Sequence, residues 1–244
     1  MIKRQNFELV VPAFNEAKNL DLLIQRTVQA AEKNGFDPSV FTLVIVNNGS
    51  SDNTIETLQR LSRGDLAPWF RVVTVSENQG YGFGLQSGLS STTASIIGWS
   101  HADLQADPEN AFRAYALLKD QIVPTVIKGE RTGRSKKDIF VSRVFEAFAF
   151  LILGLRIHEM NAQPKVFPRY LLESLKNSPK SFAFDLYFLF RAKKEGFEIK
   201  AISVSFPPRI HGVSKWASSF FSRYKTIIEI IQYMFRLAYS EGRI

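Results

Sequence analysis

Short apolar runs and longer amphipathic stretches alternate along the first half of the chain, and their order predicts its elements. Phe7-Glu8-Leu9-Val10-Val11 is β-prone and followed by polar residues, so it predicts a strand. Leu20, Leu23, Ile24, Val28 and Ala31 then recur at helical spacing, with Gly35 beyond them, predicting a helix with one buried face. Phe41 to Val46 predicts a second strand, and Ile55, Leu58 and Leu61 a second helix capped by Ser51. Arg71 to Val75 predicts a third strand, followed by a glycine-rich turn and a short helix of small residues. Ala94 to Trp99 predicts a fourth strand, Asp107-Pro108 a helix start, and Thr125 to Lys128 a fifth strand. This βαβα order predicts an α/β fold with a mostly parallel sheet and helices on both faces.

The second half is less regular. Helical patterns run from about Asp138 to Leu155 and from Phe182 to Glu195. Phe197 to Phe206 alternates like a strand and ends at Pro207-Pro208. From Ser218 to Tyr239, apolar residues including Phe220, Tyr224, Ile228, Ile231, Met234 and Phe235 recur at helical spacing, with basic residues between them. That pattern predicts a C-terminal amphipathic helix, packed on the domain or lying on a membrane surface.

Composition narrows the classes. With 244 residues, 45% hydrophobic and 22% charged, the chain can bury an ordinary globular core. It has no cysteine, which excludes disulfides, thiolate metal sites and a cysteine nucleophile. The net charge of +8 suits an anionic partner: nucleic acid, a phosphorylated substrate or acidic lipid. No aromatic-basic RNA motif is visible, so nucleic acid is not expected. No leader is apparent and no uncharged apolar run approaches about 18 residues, so no transmembrane helix is expected.

Candidate chemistry gathers where strands should end. Pro12-Ala13-Phe14-Asn15-Glu16 follows the first strand, and Asn47-Asn48-Gly49-Ser50-Ser51-Asp52 the second. Asn78-Gln79-Gly80-Tyr81-Gly82 follows the third, and Ser100-His101-Ala102-Asp103-Leu104-Gln105 the fourth. Strand tips of a parallel sheet share one edge, where open α/β sheets bind ligands. If the chain stays extended past Trp99, then His101, Asp103 and Gln105 fall on one face. An imidazole, a carboxylate and an amide oxygen would there suit a divalent cation; the alternative is a solvated polar loop. A dinucleotide fingerprint at Gly80-Tyr81-Gly82 fails, because Leu85 stands where its third glycine belongs.

Seven motifs in order, V-V-P-A-F-N-E, N-N-G-S-S-D-N-T, N-Q-G-Y-G, H-A-D-L-Q, K-G-E-R, N-A-Q-P-K and R-I-H-G-V-S-K, resemble those of family 2 glycosyltransferases. The likeness is to the GT-A (Rossmann-like) fold and to the dolichol-phosphate mannosyltransferase branch. It implies an inverting enzyme that moves a hexose from a nucleotide sugar, GDP- or UDP-linked, to a polyprenyl (dolichyl or undecaprenyl) phosphate. The alternative keeps the fold but uses a sugar hydroxyl as acceptor.

By this resemblance, Pro12, Glu16, Asn47, Asn48 and Gly80 line the nucleotide pocket. Relatives often carry Asp-Asp where Asn47 and Asn48 stand; an amide both donates and accepts hydrogen bonds. The metal motif, commonly Asp-x-Asp-x-Gln, becomes His101, Asp103 and Gln105, a set that suits Mn²⁺ better than Mg²⁺. Arg209, Ser214 and Lys215 resemble the second diphosphate clamp, with His211 inside the same loop. Arg131, Ser142 and Arg143 resemble the acceptor-phosphate site, joined by Gln163 and with Arg134, Lys136 and Lys137 between them. Asp103, Arg131 and Asp185 form the implied catalytic set. Asp185 would act as base toward a hydroxyl acceptor, or as a positioning group toward a phosphate, which needs no deprotonation.

The expected layout is a glycosyltransferase domain over residues 1–215 and a helix or tail over 216–244. Relatives often carry transmembrane helices after this point. The expectation here is a cytoplasmic protein peripheral to the membrane, held on its surface or by a separate membrane subunit.

Overall fold

The protein is described here by a computed structural model of residues 5–207 and 220–243. Arg209, His211, Ser214 and Lys215 lie outside the described residues. Seven strands form one sheet in the order β3-β2-β1-β4-β6-β5-β7. They are β1 (Phe7–Ala13), β2 (Phe41–Asn48), β3 (Phe70–Val75), β4 (Ile96–Trp99), β5 (Thr125–Thr132), β6 (Lys165–Pro168) and β7 (Glu198–Ser205). The helices are α1 (Ala17–Lys33), α2 (Thr54–Leu61), α3 (Tyr81–Ser90), α4 (Glu109–Lys119), α5 (Lys136–Leu153), α6 (Phe184–Lys194) and α7 (Phe220–Ser240).

Strand alternation divides the core into two layers. Phe7, Leu9 and Val11 of β1, with Leu43 and Ile45 of β2, face α1, α2 and α4. Val10, Val44 and Val46 face the other way, toward α3, α6 and the buried residues of α5 and α7. Phe7, Phe36, Phe41, Phe112 and Tyr115 form a ring cluster in the first layer, with centroids 5.0–6.3 Å apart. The five residues expected on the inner face of α1 are all buried there. In α7, Ile230, Met234, Leu237 and Ala238 join the second layer, so this helix packs on the domain through one face. No helix among the described residues is long and apolar enough to cross a membrane.

The sheet departs from the expected pattern at β6, which pairs antiparallel with β4 on one side and β5 on the other. Every other pairing is parallel. The chain therefore enters β6 at the edge where the other six strands end. Close approach makes this insertion possible. A Cβ on Gly129 would lie 2.2 Å from the Gln163 carbonyl oxygen, so only glycine lets β5 pass there. Gly129 N–H in turn donates to Pro164 O at 2.8 Å.

Two local expectations are corrected. Ser51 does not cap α2; its hydroxyl meets Asn15, while Asp52 Oδ1 accepts from Thr54 N–H at 3.0 Å. The chain also leaves the extended conformation after Trp99. Residues 102–106 turn, with Leu104 at φ 58°, so strand alternation is not what sets the facing of His101, Asp103 and Gln105. By contrast Asp107 fulfils its predicted role, accepting from Glu109 N–H at 2.9 Å at the start of α4.

Candidate functional site

The carboxyl ends of β1 to β5 and β7 and the start of β6 form one rim, and the candidate residues on described segments sit on it or in the loops leaving it. The loops after β1 and β2 are knitted together. Asn15 at φ 58° accepts from Ser51 N–H at 2.8 Å, and its own N–H donates to Ser50 Oγ at 3.1 Å. Glu16 N–H donates to Thr54 Oγ1 at 3.1 Å, and Pro12 pairs with Val46 in the ladder. Pro12, Glu16, Asn47 and Asn48 are thus brought together. Asn47 Oδ1 accepts from Ser50 N–H at 3.2 Å, and Asn48 Nδ2 donates to Gly80 O at 3.1 Å. Asn48 Oδ1 is buried with no protein partner among the described residues. An orphan buried acceptor of this kind marks a place for a donor from a ligand or water.

Gly80 adopts φ 115°, and a Cβ there would lie 2.4 Å from Lys180 O. The turn it makes delivers Tyr81 into the middle of the rim. The Tyr81 ring stacks on Phe182 at 5.3 Å and 15°, and lies 5.8 Å from the His101 ring. Its hydroxyl points inward, where burial first and the Asp185 carboxylate second push its pKa well above the ordinary tyrosine value.

The loop after β4 carries the predicted cation ligands. Asp103 is buried and its Oδ1 accepts from Gln105 N–H at 3.1 Å. Gln105 Nε2 donates to Pro207 O at 3.0 Å, which ties this loop to the entrance of the 208–219 segment. The donor set of one carboxylate, one imidazole and one amide fits a borderline cation such as Mn²⁺. Among the described residues, no group of three His, Cys, Asp or Glu side chains clusters as a metal site. A cation here would therefore depend on the Gln105 amide oxygen and on ligand oxygens beside Asp103 and His101.

Beneath the rim, Lys165 Nζ and Asp185 form a fully buried ion pair. Gln163 Nε2 donates to the same Asp185 Oδ1 at 2.9 Å and reaches Tyr81 Oη at 3.4 Å, while Gln163 Oε1 has no protein partner among the described residues. Burial lowers the Lys165 pKa and the Asp185 carboxylate opposes that shift. Lys165 Nζ also lies 5.3 Å from the centre of the Trp99 ring.

At the end of β5, Arg131 Nε donates to Glu159 Oε2 at 2.6 Å, and Arg134 binds Glu159 Oε1. Arg134 also donates to Ser142 Oγ at 2.8 Å. Arg131, Arg134 and Ser142 therefore converge. Arg143 does not join them: it is exposed, donates to Glu146 at 3.1 Å and contacts His158 Nδ1 at 2.6 Å. Lys136 is exposed at the start of α5.

Residues 8–185 match the sequence profile of Glycosyl transferase family 2. The chain belongs to this family. It is similar to the dodecaprenyl-phosphate galacturonate synthase of Rhizobium johnstonii, at 24% identity over 98% of this chain and 69% of that protein. It is likewise similar to the polyprenol monophosphomannose synthase of Mycolicibacterium smegmatis, at 25% identity over 86% of this chain and 81% of that one. Its fold matches that of the glucosyl-3-phosphoglycerate synthase of Mycobacterium tuberculosis, crystallised with Mn²⁺, UDP and glucosyl-3-phosphoglycerate. That match has a TM-score of 0.66 at 18% identity, over 93% of this chain and 80% of that one.

Two residues of this family 2 chain were not singled out by sequence reasoning. Glu159 precedes the N-A-Q-P-K motif and receives both arginines. Lys128, inside the K-G-E-R motif itself, is buried, and its Nζ donates to Gly129 O at 2.8 Å and to Glu159 O at 3.3 Å. Burial first, and Lys165 second, lower its pKa from 10.5 to about 8. The unfolded chain then holds this proton more tightly than the folded one between those pH values, so stability should rise as pH goes from about 8 to 10.5. Lys128→Met should flatten that rise, which amounts to at most about 3 kcal/mol. Urea denaturation of both proteins from pH 7 to 10.5 checks it; parallel pH curves would contradict the assignment.

Proposed function

We propose that this chain transfers a hexose, with inversion, from a nucleoside-diphosphate sugar to a polyprenyl phosphate. The observation that carries the reading is the meeting of Arg131, Arg134 and Ser142 on the same rim as the Asn47–Asn48 and His101–Gln105 loops. Two guanidiniums and a hydroxyl match the oxygens of a phosphate monoester. The names of the rhizobial and mycobacterial relatives support a polyprenyl phosphate as the acceptor class.

The loops after β1, β2 and β3 would hold the nucleoside, with Asn48 Oδ1 ready to accept a donor from the base or ribose. Asp103, His101 and Gln105 would hold a divalent cation, as supported by the Mn²⁺ in the related fold. When bound, that cation would offset the charge of the departing diphosphate. By the resemblance, Arg209, Ser214 and Lys215 would bind the same diphosphate; in sequence they follow Pro207, whose carbonyl accepts from Gln105 Nε2. The arginine pair orients the acceptor so that a phosphate oxygen attacks the anomeric carbon as the bond to the diphosphate breaks. The attacking oxygen is already ionised near neutral pH, so no proton need be removed.

Asp185 fits this acceptor better than a hydroxyl. Its Oδ1 is engaged by Lys165 and Gln163, so it fixes the rim instead of waiting for a proton. A steady-state assay with labelled GDP- and UDP-hexoses and a short prenyl phosphate tests the reading. Arg131→Ala should raise the acceptor KM at least tenfold. Asp185→Asn should cost about 3–5 kcal/mol of stability by leaving Lys165 uncompensated, yet its folded fraction should keep detectable turnover, because no general base is lost. Transfer to sugar hydroxyls but not to the prenyl phosphate would sink the proposal.

Such an acceptor lies in a membrane. On α5, Phe140, Val144, Phe148 and Leu151 are exposed along one stripe, across the helix from Ser142. Ile228, Phe235 and Tyr239 are exposed on α7. The apolar stripe of α5, with Lys136 and Arg143 beside it, would rest on an anionic lipid surface. The double variant Phe140→Ser, Leu151→Ser should lose most sedimentation with phosphatidylglycerol vesicles; undiminished binding would remove this surface from the account.

A further inference from the structure

We propose that Glu159 is a positioning residue that occupies the acceptor-phosphate site when it is empty, holding Arg131 and Arg134 convergent and giving them up to a dianionic phosphate. The inference rests on the acceptor-phosphate reading above and adds to it the group that sets the site's selectivity.

The geometry is that of a carboxylate in a phosphate's place. Each oxygen of Glu159 takes a different arginine, Oε2 from Arg131 at 2.6 Å and Oε1 from Arg134. All three side chains are mostly shielded from water, at 12–14% exposure. Two guanidiniums held this close in a poorly solvated place repel one another, and an anion between them is what keeps both aimed at one point. Ser142 Oγ meets the same Arg134 and would supply one more polar contact to an incoming oxygen.

The backbone of Glu159 is fixed independently of its side chain. Its φ of 50° is strained for a residue with a Cβ. Its N–H donates to Glu146 Oε1 at 2.8 Å and its carbonyl accepts from Lys128 Nζ at 3.3 Å. Neither bond involves Arg131 or Arg134, so the strained turn can stay in place while the carboxylate swings aside. A strained conformation held from two sides and aimed at a pair of cations is the mark of a functional constraint.

Charge then explains selectivity. A phosphate monoester carries nearly two negative charges and three acceptor oxygens, whereas Glu159 carries one charge and two oxygens. A phosphate therefore displaces the carboxylate, and a monoanion gains little over it. Glu159 acts as a threshold: headgroups of one charge fail to take the arginines, and headgroups of two succeed.

The test compares binding of geranyl phosphate and geranyl sulfate, a monoanion of similar shape, to the full chain by titration calorimetry. Wild type should favour the phosphate strongly. Glu159→Gln, with the competing charge gone, should bind the phosphate roughly 3–10-fold tighter and narrow the phosphate-to-sulfate ratio. Weaker phosphate binding, or an unchanged ratio, in folded Glu159→Gln would overturn the proposal. If that variant does not fold, Glu159→Asp replaces it: one methylene shorter, it reaches a single guanidinium and should narrow the ratio too, and an unchanged ratio there is equally fatal. Arg131→Ala separates the two layers of the argument. If it loses phosphate binding while Glu159→Gln fails as above, only the positioning role falls. If it binds geranyl phosphate like wild type, the acceptor reading itself falls and takes the positioning role with it.

Discussion

The ion pair between Lys165 and Asp185 is the contact on which the arrangement of the rim depends. Both side chains are out of water, and Gln163 completes the pair's hydrogen bonding from the same β6 segment. Removing one partner would leave a buried charge uncompensated, at a cost of about 3–5 kcal/mol. The pair joins the start of β6 to the first turn of α6, and so locks the antiparallel strand into a sheet that is otherwise parallel. Because β6 is locked, the segment before it, which carries Glu159, is delivered to the end of β5 and meets Arg131.

Charge is then distributed along this edge in two unlike groups. The loop after β4 offers one buried carboxylate, an imidazole and an amide, a weakly anionic set suited to a cation. The end of β5 offers Arg131 and Arg134 against one shared carboxylate, with Lys128 on the backbone carbonyl of the same Glu159, a cationic set suited to an anion. In the proposed transfer, a donor that leaves as an anion and an acceptor that arrives as one would both find countercharge without competing for the same groups. Tyr81, stacked on Phe182 and close to His101, lies in the rim between the donor loops and Gln163.

Much of this was legible in the sequence, because it is written in short-range patterns. Short apolar runs give β1, β2 and β3, period-3.6 stripes give α1 and α2, and Asp107-Pro108 gives the start of α4. The rule that parallel strands end on one side brings the polar clusters together from the sequence alone. What was missed is nonlocal or too short to carry a period. β6 is four residues, Lys165-Val166-Phe167-Pro168, with no alternation, and its direction depends on close approach at Gly129. The turn at Leu104 depends on one left-handed residue that carries no local signal. The resemblance names Arg143 and leaves Arg134 as one of the basic residues between Arg131 and Ser142. Only folding shows that Arg134 reaches Ser142 and Glu159 while Arg143 turns outward to Glu146. Lone acids such as Glu159 announce nothing in a sequence until their cations are in view.

The claim at the centre of this account is that one sheet edge, at the loop after β4, receives a nucleoside diphosphate with its cation. Paramagnetic line broadening by Mn²⁺ measures that location directly. With a nucleoside diphosphate present, amide signals of His101, Asp103 and Gln105 should vanish first and the Tyr81 ring should follow. Signals of Phe7 and Phe41, at the opposite ends of their strands, should persist at Mn²⁺ levels that erase the loop. Broadening that spares residues 101–105, or that is no stronger there than at Phe7, would contradict the account.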